Sequence, residues 1–182
     1  MNILEEIVAN KQYEVEEKKS IQPIKLLERS LFFESETVSM VEYLNRQDKV
    51  GVIAEIKRKA PSTGWLAEGV DVEQLSIAYM QAGASALSVL TDEKYFGAKT
   101  NDLQIARKYN YCPILRKDFI IDPYQVIETR SVGADCLLLI AACLTPGKCL
   151  ELSKLASSLG LEVLLEVHSR EEIENYVNPH IH

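Results

Sequence analysis

The sequence predicts an α/β fold in which repeated strand–helix units build a parallel β-sheet. Two observations carry this prediction. Short, almost continuously apolar runs recur after residue 48, as expected of parallel strands that are buried on both faces. Longer segments with helical spacing separate the runs, and three of them end at a glycine, Gly83, Gly133 or Gly160, which can cap a helix in the left-handed conformation. The five predicted strands are residues 50–57, 86–90, 112–117, 134–141 and 161–167.

The first 48 residues precede the repeat and form a predicted N-terminal helical extension, residues 1–48. Apolar residues within 3–8 recur at helical spacing between Glu and Lys, which predicts an amphipathic helix. Residues 24–29 and 40–44 predict two further short helices. The same mixture of charges argues against a secretory signal at the N-terminus.

Residues 49–182 form the predicted second domain, in which the strands alternate with helices. The predicted helices are residues 72–82, 100–109, 123–132, 146–159 and 169–176. The repeat length of about 22 to 34 residues predicts right-handed crossover units around a parallel sheet.

The composition restricts the function. The 182 residues are 47% hydrophobic and 26% charged, with a net charge of −7, which suits a globular domain and disfavours nucleic acid or an anionic membrane as the main partner. No apolar stretch approaches the roughly 20 residues of a membrane helix. The four cysteines form no CxxC pair and lie in or beside apolar runs, so we expect reduced core thiols and a cytoplasmic protein. The composition does not exclude small anionic molecules as substrates.

Both an open doubly wound sheet and a closed (β/α)₈ barrel accept such units. The first strand-to-helix turn, residues 58–65, carries neither of the Gly-rich phosphate motifs that a nucleotide-binding fold usually places there. The barrel is therefore favoured. Because a barrel has eight units and about 250 residues, the five strands predict an incomplete TIM (β/α)₈ barrel of about five βα units.

Ionisable residues come near the carboxyl ends of three predicted strands. Strand side chains alternate between faces, so Glu55 and Lys57 share one side of the first strand, and Lys117 and Glu166 occupy comparable positions in the third and fifth. Barrel enzymes build their sites at this edge. A lysine beside a carboxylate suits a proton donor or an anion ligand, although a charged residue that ends a strand is also commonly just solvated.

Other residues carry weaker signals. We expect His168 to be a loop residue rather than a proton shuttle. His180 and His182 lack the further ligands of a metal site, so no metal is expected. Aromatic residues also lie in the predicted strand-to-helix loops: Trp65, Tyr95 and Phe96. They either stack on a flat substrate or close the top of the core, and the sequence leaves both interpretations open.

Six segments together resemble one family. They are Ile-Leu-Glu-Glu-Ile-Val-Ala at 3–9, Ile-Ala-Glu-Ile-Lys-Arg-Lys-Ala-Pro-Ser at 53–62, Ser-Val-Leu-Thr-Asp-Glu-Lys-Tyr-Phe-Gly at 88–97, Pro-Ile-Leu-Arg-Lys-Asp-Phe-Ile at 113–120, Ala-Asp-Cys-Leu-Leu-Leu-Ile-Ala-Ala at 134–142 and Leu-Leu-Glu-Val-His at 164–168. In order and spacing they are similar to the extra N-terminal helix and the first five strands of indole-3-glycerol phosphate synthase, a barrel enzyme of tryptophan biosynthesis.

The resemblance implies a carboxy-lyase without metal or organic cofactor. Its substrate would be the phosphorylated small molecule 1-(2-carboxyphenylamino)-1-deoxyribulose 5-phosphate, which loses carbon dioxide and water to give indole-3-glycerol phosphate. By position, Lys117 would be the general acid in ring closure and Glu166 the acid or base partner in dehydration. Lys57 would contact the anionic substrate and donate a proton.

The resemblance also implies substrate-binding residues. Glu55 would orient Lys57 and the substrate, and Ser62 would bind substrate in the first loop. Phe96 and Phe119 would form an apolar wall around the anthranilate ring.

The sequence departs from the family pattern in three places. Ala60 replaces the usual serine before Pro61-Ser62, and residues 96–99 replace a Gly-rich stretch. The sixth to eighth strands, with the phosphate-binding loops, would follow residues 178–180. We therefore expect the isolated chain to be weak or inactive, and its two edge strands to favour self-association. The alternatives are another phosphate-binding barrel enzyme, such as phosphoribosylanthranilate isomerase, and a non-catalytic half-barrel.

Overall fold

A computed structural model describes residues 2–182 of the protein, so that only Met1 of the predicted extension lies outside it. The described residues form α-helices, strands and one 3₁₀-helix. In chain order the elements are α1 (Ile3–Ile21), α2 (Ile24–Leu27), α3 (Met40–Leu44), β1 (Ile53–Ile56), β2 (Lys59–Ala60), β3 (Gly64–Trp65), α4 (Val72–Gln81), β4 (Ala86–Leu90), α5 (Glu93–Phe96), α6 (Asp102–Tyr109), β5 (Ile114–Lys117), α7 (Pro123–Ser131), β6 (Cys136–Ile140), the 3₁₀-helix (Ala141–Cys143), α8 (Pro146–Ser158), β7 (Glu162–Glu166) and α9 (Arg170–Tyr176).

The predicted α/β fold with a parallel sheet is confirmed. Five strands form one sheet in the order β1-β4-β5-β6-β7, and the short strands β2 and β3 form a separate antiparallel pair. In the parallel register Glu55 of β1 lies opposite Ser88 of β4, and Leu90 of β4 lies opposite Lys117 of β5. The carboxyl ends of β1 and β5 therefore reach the same edge of the sheet.

Capping residues mark the ends of several helices. Asn2 and Glu5 form a capping box on α1, and Asp122 and Gln125 form one on α7. Gly83, Gly133 and Gly160, which follow α4, α7 and α8, have positive φ angles of 96°, 87° and 73°, the left-handed conformation expected of them.

Four predicted strand starts were too early: that of β1 by three residues, those of β5 and β6 by two residues each and that of β7 by one residue. The first strand begins at Ile53 rather than at residue 50, because Gly51 has a φ of 69° and interrupts the extended backbone. The strand predicted from residue 112 begins at Ile114, since Pro113 has no N–H to give to the sheet.

Four short elements were not predicted. The strands β2 and β3 pair within residues 59–65, α5 fills four residues after β4, and a single 3₁₀ turn follows β6. Each is too short for a hydrophobic period to develop.

Among the described residues two compact units are defined by internal contacts: the first comprises residues 2–36, 119–132 and 137–182, and the second comprises Thr37–Asp118 and Gly133–Cys136. In the first unit α1 is fixed to α7 by ion pairs, from Lys18 to Glu128 at 2.7 Å and from Lys19 to Asp122 at 2.9 Å. The division predicted at residue 48 stays a prediction. A buried cluster forms the core of the first unit: Ile120, Val126, Leu137, Leu139, Cys149, Leu152, Ala156, Leu161 and Val163.

In the second unit the strands β1, β4 and β5 lie side by side, and β4 is completely buried. At the amino end of β5, Asp135 accepts hydrogen bonds from the backbone N–H of Val38 at 2.8 Å and of Ile114 at 2.7 Å, and it pairs with Arg107. These bonds fix the start of the strand that carries Lys117 at its other end.

The four cysteines are free thiols. Cys112, Cys136 and Cys149 are buried, as predicted, and Cys143 is half-buried. Within residues 2–182 no helix has the length and apolar character needed to cross a membrane.

Candidate active site

A Lys–Glu–Lys cluster occupies the carboxyl edge of the sheet in the second unit. The Nζ atom of Lys57 donates to Oε1 of Glu55 at 2.8 Å, and Nζ of Lys117 lies 3.5 Å from Oε2 of the same carboxylate. Lys117 reaches Glu55 across the intervening strand β4. Neighbouring strands are about 4.8 Å apart, so the two side chains together span roughly twice that spacing. The alternation of side chains predicted that Glu55 and Lys57 share one side of β1, and the structure adds that Lys117 comes next to the same carboxylate.

Each member of the cluster is about one-third exposed, so the cluster is open to a ligand but partly shielded from water. Burial raises the pKa of the Glu55 carboxyl, but the hydrogen bond from Lys57 and the charge of Lys117 outweigh it, and the pKa falls below its usual value. At neutral pH Glu55 is an ionised carboxylate between two ammonium groups. The cluster has one net positive charge, which suits an anionic ligand.

The backbone of Glu55 is held from the helix side of the sheet. The hydroxyl of Tyr79, on α4, donates to the carbonyl oxygen of Glu55 at 3.3 Å. The next residue, Ile56, is buried on the opposite face to Glu55. These contacts fix the strand at the point where its acidic side chain leaves it.

A buried ion pair stands behind Lys57. Arg58 points to the opposite face and makes two hydrogen bonds to Asp102, one of them from Nη2 to Oδ1 at 3.1 Å. Asp102 also accepts from the backbone N–H of Lys99 at 2.8 Å, and Arg58 donates to the Val70 carbonyl at 3.2 Å. The pair therefore fixes both ends of the first loop to the start of α6.

A second buried network flanks Lys117. Arg116 donates to Asp118 at 3.0 Å and to the hydroxyl of Thr91 at 3.1 Å, and Thr91 donates to Asp118 at 2.7 Å. Because Arg116 and Asp118 lie on the face opposite Lys117, they fix the strand end without occupying the site.

Sequence reasoning missed both networks. The available signal was a charged residue directly beside each site lysine, which alternation places on the buried face. A buried charge requires a partner, but the partner of Arg58 lies 44 residues away in the sequence.

The first loop carries the predicted substrate residue Ser62, which is exposed at the tip of the β2–β3 hairpin. Lys59 in this hairpin lies over the Trp65 ring, with Nζ 5.7 Å from its centre, and donates to the Lys94 carbonyl at 3.3 Å. Gly97, with a φ of 67°, packs so closely on Trp65 that a Cβ there would come within 2.7 Å of the ring. Trp65 thus packs on the end of α5, where the half-buried Phe96 lies.

Glu166 and Phe119 belong to the first unit, and both are half-buried. The Glu166 carboxylate lies 3.2 Å from Nε2 of His168. His168 is exposed in the bend after β7, as expected of a loop residue. Burial, together with the charge of Glu166, raises the pKa of the Cys143 thiol to about 11. Cys143 lines a cavity of about 610 Å³ beside α1, which places Glu166 near this cavity.

The last histidine, His182, has a structural role. The backbone N–H of His182 donates to the Val163 carbonyl at 3.0 Å, and its Nδ1 accepts from the Val163 N–H at 3.2 Å. Among residues 2–182 no three His, Cys, Asp or Glu side chains are grouped so that they could hold a metal ion.

The parallel α/β fold and the Lys–Glu–Lys cluster at its strand ends are typical of α/β enzymes, which build their sites at this edge of the sheet. Comparison with known proteins identifies the family. The family model described as indole-3-glycerol phosphate synthase matches residues 4–179. The chain belongs to the indole-3-glycerol phosphate synthase family, as its motifs predicted. Enzymes of this name are carboxy-lyases of tryptophan biosynthesis.

Individual relatives agree with this assignment. The chain is similar to the indole-3-glycerol phosphate synthase of Bacteroides thetaiotaomicron, with 48% identity over 180 residues that cover 99% of this chain and 68% of the relative. The Bordetella pertussis enzyme of the same name is 49% identical over 128 residues, 70% of this chain and 49% of the relative. Indole-3-glycerol phosphate synthase 2 of Ralstonia nicotianae is 40% identical over 177 residues, 96% of this chain and 66% of the relative. The matches thus span from about half to about two thirds of the relatives' length.

Proposed function

We propose that the protein acts as an indole-3-glycerol phosphate synthase, which closes the indole ring of 1-(2-carboxyphenylamino)-1-deoxyribulose 5-phosphate with loss of carbon dioxide and water. The observation that carries the proposal is the Glu55 carboxylate held between Lys57 and Lys117 at the strand ends. This cluster supplies a proton donor and a cationic surface at one place, and the reaction needs both.

The substrate carries a carboxylate and a phosphate, and the net positive charge of the cluster attracts them. Lys57 contacts the carboxylate while Glu55 holds the lysine in place. Ser62 binds from the tip of the first loop, and Phe96 and Phe119 line the aromatic ring of the substrate. Aromatic side chains suit this role because they pack on a flat ring and exclude water.

Ring closure comes first. The aromatic carbon that bears the carboxylate attacks the ribulose carbonyl carbon, and Lys117 gives its proton to the carbonyl oxygen, which becomes a hydroxyl group. The bond to the carboxylate then breaks, carbon dioxide leaves, and the electron pair of that bond restores the aromatic ring. General acid catalysis of such a step contributes about 10²- to 10⁴-fold in rate.

Dehydration completes the reaction. The new hydroxyl leaves as water after it takes a proton from Lys57. Glu166 removes a proton from the adjacent carbon, so that the double bond of the indole forms. This assignment uses the two carboxylates differently, since Glu55 stays ionised beside the lysines and only Glu166 exchanges a proton.

The proposal extends to the architecture and setting. The five parallel strands are consistent with the TIM-barrel family, and we assign them to the first five βα units of such a barrel, with residues 1–48 as a helical extension. The enzyme is cytoplasmic, has no nucleic-acid partner and uses no cofactor. Self-association through the edge strands β1 and β7 stays a prediction, which sedimentation at several protein concentrations tests.

The comparisons lend no support to the expectation that the chain is weak or inactive, so activity must be measured. The purified chain is incubated with the carboxyphenylamino-deoxyribulose phosphate, and indole fluorescence and product mass are recorded. We expect turnover, and we expect Lys117→Ala to lower kcat by about 10²-fold or more. The control is Lys108→Ala, because Lys108 is an exposed lysine on α6.

Two results would overturn the proposal. Turnover of phosphoribosylanthranilate but not of this substrate would identify the isomerase instead. A folded chain that turns over neither compound would leave a non-catalytic protein.

A further inference from the structure

One buried serine next to the Lys–Glu–Lys cluster has no role in the contacts described above. Ser88, in the middle of β4, is 3% exposed. Among the described residues its hydroxyl oxygen has no hydrogen-bond partner. A buried hydroxyl normally finds a partner, because leaving one unpaired is unfavourable. The exception therefore requires an explanation.

The sheet register places Ser88 next to Glu55. The Cα atom of Ser88 lies opposite that of Glu55 on β1 and that of Leu115 on β5. Side chains in register on neighbouring parallel strands point to the same face, about 4.8 Å apart. Ser88 thus has a carboxylate on one side and an apolar residue on the other, so Glu55 is the polar side chain beside it.

Both oxygens of Glu55 are already in use. Oε1 accepts from Lys57 and Oε2 faces Lys117. In the proposed reaction Lys117 must turn its ammonium group to the substrate and give up its proton. At that moment Oε2 loses its cationic partner.

We propose that Ser88 is a positioning residue, whose hydroxyl donates a hydrogen bond to Oε2 of Glu55 when Lys117 turns to the substrate. The inference rests on the proposed function for the motion of Lys117. Ser88 holds the carboxylate ionised and in place, so that Lys57 keeps its position through the reaction. Ser88 makes this hydrogen bond only after Lys117 has turned away. Its hydroxyl is therefore unpaired in the structure, where Lys57 and Lys117 occupy both oxygens of Glu55.

The surroundings of Glu55 make this testable by titration. The charged or titratable groups that face Glu55 are Lys57 on its own strand, Lys117 on β5 and the hydroxyl of Tyr79 on α4, which reaches only its backbone. Removal of Lys117 imitates the state in which this lysine has turned away. In that background Ser88 alone should replace the lost partner.

The experiment is a double-mutant cycle read by carboxyl ¹³C NMR of Glu55, assigned with Glu55→Gln. The four proteins are the unmodified chain, Ser88→Ala, Lys117→Met and the double variant. We expect Ser88→Ala alone to leave the pKa of Glu55 nearly unchanged. In the Lys117→Met background it should raise this pKa by about one unit, as loss of a hydrogen bond to a charged group does. Ser85→Ala is the matched control, since Ser85 is also buried but lies before the start of β4 and donates no bond to Glu55.

Steady-state kinetics provide a second test of the role of Ser88. Ser88→Ala should lower kcat about three- to tenfold with little change in KM. The acidic limb of the kcat profile should move to higher pH while that of kcat/KM stays, because kcat reports the substrate complex and kcat/KM the free enzyme. Ser88→Thr, which keeps a hydroxyl, should restore kcat.

A loss of stability is not expected to interfere with these measurements. Ser88→Ala removes a hydroxyl that has no partner, so its thermal unfolding midpoint should equal or exceed that of the unmodified chain. Ser88→Cys replaces it if the alanine variant fails to fold.

Equal effects of Ser88→Ala on the Glu55 pKa in both backgrounds, or no effect in either, would overturn the inference. If the unmodified chain shows no turnover, the proposed function fails, but the NMR cycle still decides the role of Ser88.

Discussion

Loss of the negative charge of Asp102 should destabilise the protein strongly. The Arg58 and Asp102 side chains are 4% and 3% exposed. In Asp102→Asn the new amide keeps the shape of the carboxylate but turns an NH₂ group toward a guanidinium that can only donate. Arg58 is then a buried cation without a counter-charge.

The contacts set the size of the effect. Asp102 accepts two hydrogen bonds from Arg58 and a third from the Lys99 N–H. Breaking a buried pair of this kind by removing one partner costs about 3–5 kcal/mol. Since folded domains are stable by only about 5–15 kcal/mol, this is a large fraction of the total.

Urea denaturation measures the change. With an m-value of about 2 kcal/mol/M the midpoint should fall by about 1.5–2.5 M. The control is Asp48→Asn, because Arg46 donates to Asp48 at 2.9 and 2.6 Å in an exposed pair, where solvent weakens the interaction. Its midpoint should hardly move. Equal midpoints for the two variants would show that the buried Arg58–Asp102 pair contributes no more to stability than the exposed pair.

Three further outcomes are expected. Gly97→Ala should lower stability by about 1–2 kcal/mol, because alanine is strained at a φ of 67°, and it should change the fluorescence of Trp65, whose ring the new Cβ would meet; an unaltered urea midpoint and spectrum would contradict this. The unmodified chain should be more stable to urea than Glu55→Gln at neutral pH, and this difference in stability should shrink below pH 4.5. The lowered pKa of Glu55 stabilises the folded state above the ordinary value of 4.5, and that stability is lost as the pH falls through the lower pKa of the folded state. Urea midpoints of both chains over a pH series measure the difference. Burial raises the pKa of the Cys112 and Cys143 thiols to about 11. Both should therefore react slowly with iodoacetamide at about pH 7.5 in the folded chain and rapidly in urea, as measured by mass spectrometry. Rapid labelling of the folded chain would contradict this expectation.

Much of the fold could be predicted from the sequence because its signals are local. The apolar runs and helix patterns gave the parallel α/β repeat, and the left-handed glycines gave the helix ends. Period-two alternation placed Glu55 and Lys57 on one face, and the matching strand ends brought Lys117 to them.

The rest depends on contacts between distant residues. The β2–β3 hairpin has only two residues in each strand, and it packs on α5 through Trp65 and Gly97. The partner of Arg58 is chosen by the tertiary fold. The unpaired hydroxyl of Ser88 cannot be recognised before its neighbours are known, since a serine in a strand otherwise has no distinguishing pattern.

Release of carbon dioxide shows whether the chain decarboxylates this substrate and whether Lys117 is needed for it. The substrate is labelled in its carboxyl carbon, and labelled carbon dioxide and indole-3-glycerol phosphate are counted together over time. The unmodified chain and Lys108→Ala should release one carbon dioxide for each indole formed, and Lys117→Ala should release neither at a comparable rate. Undiminished release from Lys117→Ala, or none from the folded unmodified chain, would rule out a decarboxylation in which Lys117 is the general acid.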